Sequence, residues 1–401
     1  MFATAQGMIV IMDSFFNKPK SQSESAESMP AGMHHFRSAH DDPVPYRLHL
    51  RLEKDGHGLL IINASTILHL NPTAAEYAYH LIHQTPDDQI AEQITQRYRV
   101  SKQQSIDDMQ NMRQRINEII LGNASGVDAF LNFEHQAPDS IALSAPYRLD
   151  CAVTYHKQDK NRKPLPEAGK VELGTDDWKL MLDKAWQVGI PHIIFTGGEP
   201  TLRDDLPILI RQCERNGQVA GMVTDGIKLG STRYLNKLLQ TGLDQVFILM
   251  RTDDSQLWDA ITSLLYWSEV LNHEIMVAVH ITLSKYNVSQ IQTLLNRLAE
   301  TGIHNLSLSV DDRTLADDLF SARYHADDLQ FNLVWNLPVP YAQLNPIALE
   351  LEAAGEVVER NAPSRASLYI RPDGTVHPDK DSKHILGNLL RDPWHAIWSS
   401  I

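Results

Sequence analysis

Glu199 closes the run Thr196-Gly197-Gly198-Glu199, directly after the short apolar stretch His192 to Phe195, and Pro200 follows it. Two glycines let backbone amides and carbonyls approach a ligand closely, and the proline fixes the direction in which the chain leaves. The carboxylate can accept hydrogen bonds from an ammonium group. A helical pattern starts near Arg203, so the spacing predicts a buried strand whose carboxyl end opens into a tight loop. An ordinary strand-to-helix turn has the same composition, and a motif this short does not separate the two readings.

The elements around this loop repeat. Apolar runs at 148–155, 192–195, 219–224, 245–250, 275–283 and 306–310 read as strands. Helical patterns at 175–188, 204–216, 232–241, 255–271 and 288–301 separate them, the first opened by Thr175 with Asp176 and Asp177 in its first turn. Such alternation predicts an α/β fold with right-handed crossovers and a parallel sheet, either a barrel or a doubly wound sheet. In both, ligands gather at the carboxyl ends of the strands, which is where Gly197 to Pro200 falls.

The run Phe195-Thr196-Gly197-Gly198-Glu199-Pro200-Thr201-Leu202, followed by Val223-Thr224-Asp225-Gly226, closely resembles the radical S-adenosylmethionine (SAM) superfamily. The resemblance spans roughly residues 140 to 310 and implies a partial (β/α)6 TIM-type barrel. It implies that Gly197, Gly198, Glu199 and Pro200 bind the amino group of SAM; Asp225 stands where the family usually has Asn. In that family a Cys-x3-Cys-x2-Cys loop after the first strand holds an iron-sulfur cluster. Counted from Thr154-Tyr155, those positions fall near Lys157, Asn161 and Pro164, none of which offers a thiolate. The chain has 2 cysteines, Cys151 in a strand and Cys213 in a helix, both read as buried free thiols. The resemblance with these departures implies a degenerate member with no catalytic residues, no iron-sulfur cluster and no cofactor, SAM binding weakly at most.

Residues 43–122 read as a small winged-helix-like α+β unit, three short strands (46–52, 59–62, 66–70) and three helices, the first started by Asn71 and Pro72. Leu68-His69-Leu70-Asn71-Pro72-Thr73-Ala74-Ala75-Glu76 resembles PqqD-like domains, the recognition elements that hold the leader of a ribosomally made, modified peptide (RiPP) precursor. The resemblance implies that a leader adds as a strand beside Thr66, Ile67, Leu68, His69 and Leu70 and packs on the third helix. Met109, Met112 and Ile116 are the groove candidates there; with Ile106 they recur at helical spacing, which core positions would also show.

Residues 313–401 begin with a predicted strand at 330–337 and an irregular 338–346. They end in a predicted β-hairpin turning at Asp373-Gly374 and a short helix carrying Trp394 and Trp398. This resembles the SPASM or twitch extension of peptide-modifying radical SAM enzymes, with Asp379 at the cysteine position. His377, Asp379 and His384 could make a hard-metal set, but an exposed hairpin is the simpler expectation. Residues 1–42 read as a disordered lead-in whose His34, His35 and His40 could be read as a metal set but are by default solvated, and 123–146 as a linker leading to the barrel at 147–312. Lys157, Lys160, Arg162 and Lys163 form a basic loop, by default solvated, alternatively an anion contact at the barrel mouth.

A formal net charge of −14 and a pI near 5.7 argue against general nucleic-acid or anionic-membrane binding. No apolar run is long enough to span a membrane, and the low cysteine count fits a reducing cytoplasm. The leading expectation is a non-catalytic peptide-binding or scaffold protein that captures a precursor peptide, with an intact radical SAM enzyme or another protein as a further partner. The alternatives are a non-radical SAM-binding enzyme or sensor, a structural subunit of a larger complex, and a metal-dependent enzyme with His and Asp ligands.

Overall fold

The computed structural model describes residues 9–12, 29–39, 42–63, 66–121, 143–158, 164–165, 171–250, 255–271, 275–335, 337–354 and 366–401. The chain divides into two compact units: residues 1–144 with 186–191, and residues 145–185 with 192–401.

The first unit contains a five-stranded sheet in the order β1-β5-β4-β3-β2. Its strands are β1 (Ile9–Met12), β2 (Gly32–Arg37), β3 (Arg47–Leu52), β4 (Gly58–Ile62) and β5 (Thr66–Leu70). β2 through β5 pair antiparallel, whereas β1 runs parallel to β5 on its outer edge. Three helices follow: α1 (Pro72–Ile82), α2 (Asp87–Arg97) and α3 (Lys102–Ile120). Asn71 caps α1 by accepting from the Ala74 amide at 2.9 Å, and Pro72 takes the first helical position, where its missing N–H costs nothing. Ser101 caps α3 through the Gln104 amide at 3.1 Å. Leu48, Leu50, Leu60, Leu68, Tyr77, Ile90, Ile94, Met109, Met112 and Ile116 close one core between sheet and helices.

Two strands stand where a disordered lead-in was expected. β2 forms because β3 offers a free edge over six residues, from Gly32 opposite Leu52 to Arg37 opposite Arg47. Edge pairing of this kind satisfies backbone groups without a large apolar side-chain contribution, so a polar segment can supply it. His34 is half-buried: its ring meets Tyr79 edge-on at 4.9 Å, and its Nδ1 lies 3.2 Å from His83 Nε2. His40 and the linker 123–142 lie outside the described residues.

The second unit is built on a ten-stranded sheet in the order β14-β13-β12-β11-β10-β9-β6-β15-β16-β17. Six strands form its parallel centre: β6 (Arg148–Thr154), β9 (His192–Gly197), β10 (Val219–Thr224), β11 (Gln245–Met250), β12 (Met276–Leu283) and β13 (Asn305–Val310). The crossovers carry α4 (Thr175–Gln187), α5 (Leu206–Asn216), α6 (Thr232–Leu239), α7 (Ser255–Val270) and α8 (Ile291–Glu300), and α9 (Ala316–Asp328) follows β13. α5 ends on Gly217 at φ 85°, a left-handed position that glycine adopts without steric cost. β7 (Lys157–Gln158) and β8 (Pro164–Leu165) make a small hairpin after β6. Of the predicted basic loop, Lys157 is exposed in β7, while Lys160, Arg162 and Lys163 fall outside the described residues.

On one face of the central sheet Ile194, Val223, Phe247 and Ala278 pack with Leu337 and Val339. The strand expected at 330–337 shrinks to β14 (Asn332–Leu333), since the chain then turns through Pro338 and Pro340, which cannot donate to a ladder. A helix α10 (Pro346–Ala353) follows. The tail forms the predicted hairpin, β15 (Ser367–Ile370) and β16 (Thr375–His377), turning through Gly374 at φ 83°. β15 adds parallel to β6, β17 (Gly387–Asn388) extends the edge, and α11 (Trp394–Trp398) closes the chain. His377 is fully buried rather than exposed. Asp379 and His384 are exposed, and the Asp379 carboxylate caps the Asp381 and Ser382 amides at 2.8 Å. Among the described residues no three His, Cys, Asp or Glu side chains are grouped to hold a metal ion.

Candidate ligand site

The loop after β9 is assembled from three strand ends. Gly197 and Gly198 press against the carboxyl end of β6: the Gly198 amide donates to Thr154 O at 2.8 Å and the Glu199 amide to His156 O at 2.8 Å. A Cβ on Gly198 would lie 1.9 Å from His156 O, and one on Gly197 2.3 Å from Thr154 O, with Gly197 also at φ 130°. Only glycine fits either position. The close approach the sequence suggested for a ligand is thus already used by the protein's own backbone, which fixes the loop.

Glu199 is buried, and its carboxylate collects four donors. Oε1 accepts from the Thr201 amide at 3.0 Å, Thr201 Oγ1 at 2.6 Å and Thr224 Oγ1 at 2.7 Å; Oε2 accepts from the Asp225 amide at 2.7 Å. Burial, with the Asp225 charge beside it, pushes the carboxyl up to about 7, against the pull of those hydrogen bonds. Pro200 opens a short 3-10 turn over Pro200–Leu202. Lys228 donates to Thr201 O at 2.6 Å and lies 4.6 Å from the centre of the Tyr234 ring, bringing a cation beside the loop.

Arg203 binds the Val153 carbonyl at 2.8 Å and Asp205 at 2.6 Å, tying the loop to β6. Glu172 supplies a contact that the sequence did not signal. Its carboxylate accepts from the Tyr155 amide at 2.6 Å and Thr154 Oγ1 at 2.9 Å, holding the end of β6 where the cysteine loop of the resembled family would begin. No spacing rule links Glu172 to Thr154, because the intervening chain has no periodic pattern. Thr224 lies in the Val-Thr-Asp-Gly run that the sequence singled out, but its contact with Glu199 was not signalled.

Cys151 and Cys213 are both fully buried and free, and burial pushes both thiols well above their ordinary range. With no cysteine in residues 156–164, these side chains do not fit the three-thiolate ligand set of an iron-sulfur cluster.

The peptide-site candidates belong to the first unit. Thr66 is half-buried and Ile67, Leu68, His69 and Leu70 are buried, with both edges of β5 paired. Burial and the Arg51 charge lower the His69 pKa to about 4. Met109, Met112 and Ile116 are buried in the core cluster of the first unit. Ile116 also borders a cleft of about 560 Å³ between α3 and the β2–β3 side, lined by Phe36, Tyr46, Leu48 and Arg113.

No protein-family model matches the chain. Fe-coproporphyrin III synthase of Methanosarcina barkeri is 26% identical over 267 residues, 57% of this chain and 67% of that enzyme. A probable GTP 3',8-cyclase of Sulfurisphaera tokodaii is 32% identical over 177 residues, 42% of this chain and 54% of that protein. PqqA peptide cyclase of Rhodopseudomonas palustris is 34% identical over 95 residues, 24% of this chain and 25% of that enzyme. The chain therefore spans about two thirds of the first relative and about half of the GTP cyclase.

Among solved structures, Streptococcus suis SuiB bound to S-adenosylmethionine shares the fold, with a TM-score of 0.55 over 91% of this chain and 88% of that one at 18% identity. SuiB bound to its precursor peptide SuiA gives a TM-score of 0.54 over 90% and 88%. The expectation of a protein without cofactors is overturned by these matches: SuiB, which shares this fold, is bound to S-adenosylmethionine. With its large, mostly parallel α/β sheet and these partial sequence matches, the chain resembles radical SAM enzymes in fold and in part of its sequence.

Proposed function

We propose that this protein binds SAM at the Gly197–Pro200 loop and a ribosomally made precursor peptide at its first unit, and serves peptide modification by binding rather than by radical cleavage of SAM. One observation carries the reading. The loop is complete, with Glu199 buried under four hydrogen-bond donors, in a chain that places no thiolate on the segment after β6. A buried carboxyl with all acceptors engaged is costly to assemble, which argues for a retained ligand site rather than a relic. SuiB bound to its precursor peptide, and the similarity to a peptide cyclase, support a peptide as the second ligand.

In this reading the loop Gly197 to Pro200 holds the ammonium of SAM through backbone carbonyls, its Gly198 and Glu199 amides being bonded to Thr154 O and His156 O, and Glu199 fixes the loop against the ends of β9 and β10. Glu172 and Arg203 hold the end of β6 in register with that loop. When bound, SAM brings a sulfonium and an ammonium into an acidic strand-end region. Reductive cleavage would need an electron donor among the ligands of the site, and the side chains named above do not supply one.

The test is a calorimetric SAM titration of anaerobically purified protein, with iron content and visible absorption taken on the same sample. Anisotropy of labelled synthetic leader peptides encoded beside the gene completes it. Micromolar SAM binding and peptide binding, without 5'-deoxyadenosine release under dithionite, are the expected results. Release of 5'-deoxyadenosine by a brown, iron-loaded sample would replace this reading with that of a radical enzyme.

A further inference from the structure

The edge of β5 on which a peptide strand would add is already taken by β1 of the same chain. Ile9, Val10, Ile11 and Met12 run parallel to Ile67, Leu68, His69 and Leu70 in continuous register. The sheet order β1-β5-β4-β3-β2 leaves β5 as its outermost strand once β1 is removed. Removing β1 exposes a row of unpaired N–H and C=O groups, the template on which extended peptides add. The sequence Ile-Val-Ile-Met is rich in β-branched side chains, which suit a strand, and 53 residues separate it from β5.

We infer that β1 is a built-in competitor: it occupies the β5 edge in cis and is displaced by an extended apolar peptide that pairs main chain to main chain along Thr66–Leu70. The inference rests on the peptide-binding reading and adds its regulation. A tethered strand acts at an effective concentration on the order of 1 mM, so a trans peptide of moderate affinity is held off until it is abundant or longer than the competitor. The favoured occupant is thus a peptide with an apolar β-forming run that also makes contacts beyond those four residues.

The experiment uses the full chain, a variant lacking residues 1–12, and the variant Val10→Pro, which keeps the length and disrupts the strand. The probe is a fluorescein-labelled synthetic peptide with the sequence of residues 1–17. Binding at least about ten-fold tighter to both variants than to the full chain is expected. Faster amide exchange at Thr66–Leu70 in both variants should accompany it, with SAM titration as the control for folding. Equal probe binding and unchanged exchange in all three proteins would overturn the inference. A leader peptide that binds the full chain and the truncated chain equally well would also overturn it while leaving the peptide-binding reading in place. Probe capture by the truncated chain, with no leader peptide bound by any form, would uphold the competitor strand and remove that reading instead.

Discussion

The Glu199 carboxylate receives the Asp225 amide at 2.7 Å, so the acid of one strand-end loop is anchored by the backbone of the next. The relationship explains why Asp at 225 is tolerated where the resembled family usually has Asn. The residue contributes its amide to Glu199 and its Oδ1 to the Ile227 amide at 3.1 Å, and an aspartate performs both tasks. The cost is a second negative charge beside Glu199, one of the two causes that raise its pKa.

From this follows a pH signature. The Glu199 carboxyl is raised from 4.5 to about 7 in the folded protein, so its contribution to stability is fully present below about 4.5 and lost as pH rises through about 7. The loss amounts to roughly 3 kcal/mol if the unfolded chain titrates normally. Glu199→Gln should flatten the stability profile across that window, and Asp225→Asn should narrow it by lowering the Glu199 pKa. Urea denaturation at half-unit pH steps reads both. A wild-type profile that rises between pH 5 and 7 in a way Glu199→Gln abolishes would show that the hydrogen bonds outweigh burial.

Replacement of Gly198 by alanine should break the loop. The new Cβ would meet the His156 carbonyl at 1.9 Å, so β6 and the loop must separate. Destabilisation above about 1 kcal/mol and loss of measurable SAM binding are expected. Retained SAM affinity with a near-native melting temperature would show that the close packing against β6 does not position the ligand.

Much of the second unit was legible because strand-helix alternation is a strong periodic signal. The predicted strand at 192–195 became β9 (His192–Gly197), and the hairpin at Asp373-Gly374 formed as read. The site was legible only in part. Gly197 to Pro200 stood out as a motif, but the bracing by Thr201, Thr224 and Glu172 depends on strand register, which spacing in one sequence does not report. β1 and β2 escaped notice because an edge strand is stabilised by a neighbour's open backbone rather than by its own pattern. The buried His377 was missed because the local pattern of a short hairpin does not report which of its side chains are covered.

In the first unit, Met112 tests the division between core and groove. It is 3% exposed and packs within the cluster formed by the sheet and the helices. Met112→Ala should cost about 2–5 kcal/mol by chemical denaturation, as a buried truncation that leaves a cavity does. A change below about 0.5 kcal/mol together with weakened peptide binding would reassign the side chain to a binding groove.

His280 provides the opposite pH signature to Glu199. It lies in β12, fully buried, with Nδ1 3.0 Å from Ser307 Oγ and Nε2 3.0 Å from Thr282 Oγ1 and 3.3 Å from Ser309 Oγ. Burial lowers its pKa from 6.5 to about 3, so the folded protein holds it neutral while the unfolded chain takes up a proton. The stability it contributes is present above about 6.5 and is lost as pH falls toward 3. His280→Gln keeps a side chain able to donate and accept but does not titrate, so its stability should fall less steeply on acidification than that of the wild type. Parallel denaturation series at pH 7 and pH 5 would check this. The variant should be weaker by about 1–3 kcal/mol at pH 7 through imperfect hydrogen bonding to the serine pair, with the gap closing at pH 5. An unchanged gap at the two pH values would mean that the His280 pocket admits water and that the ring titrates as it does in the unfolded chain.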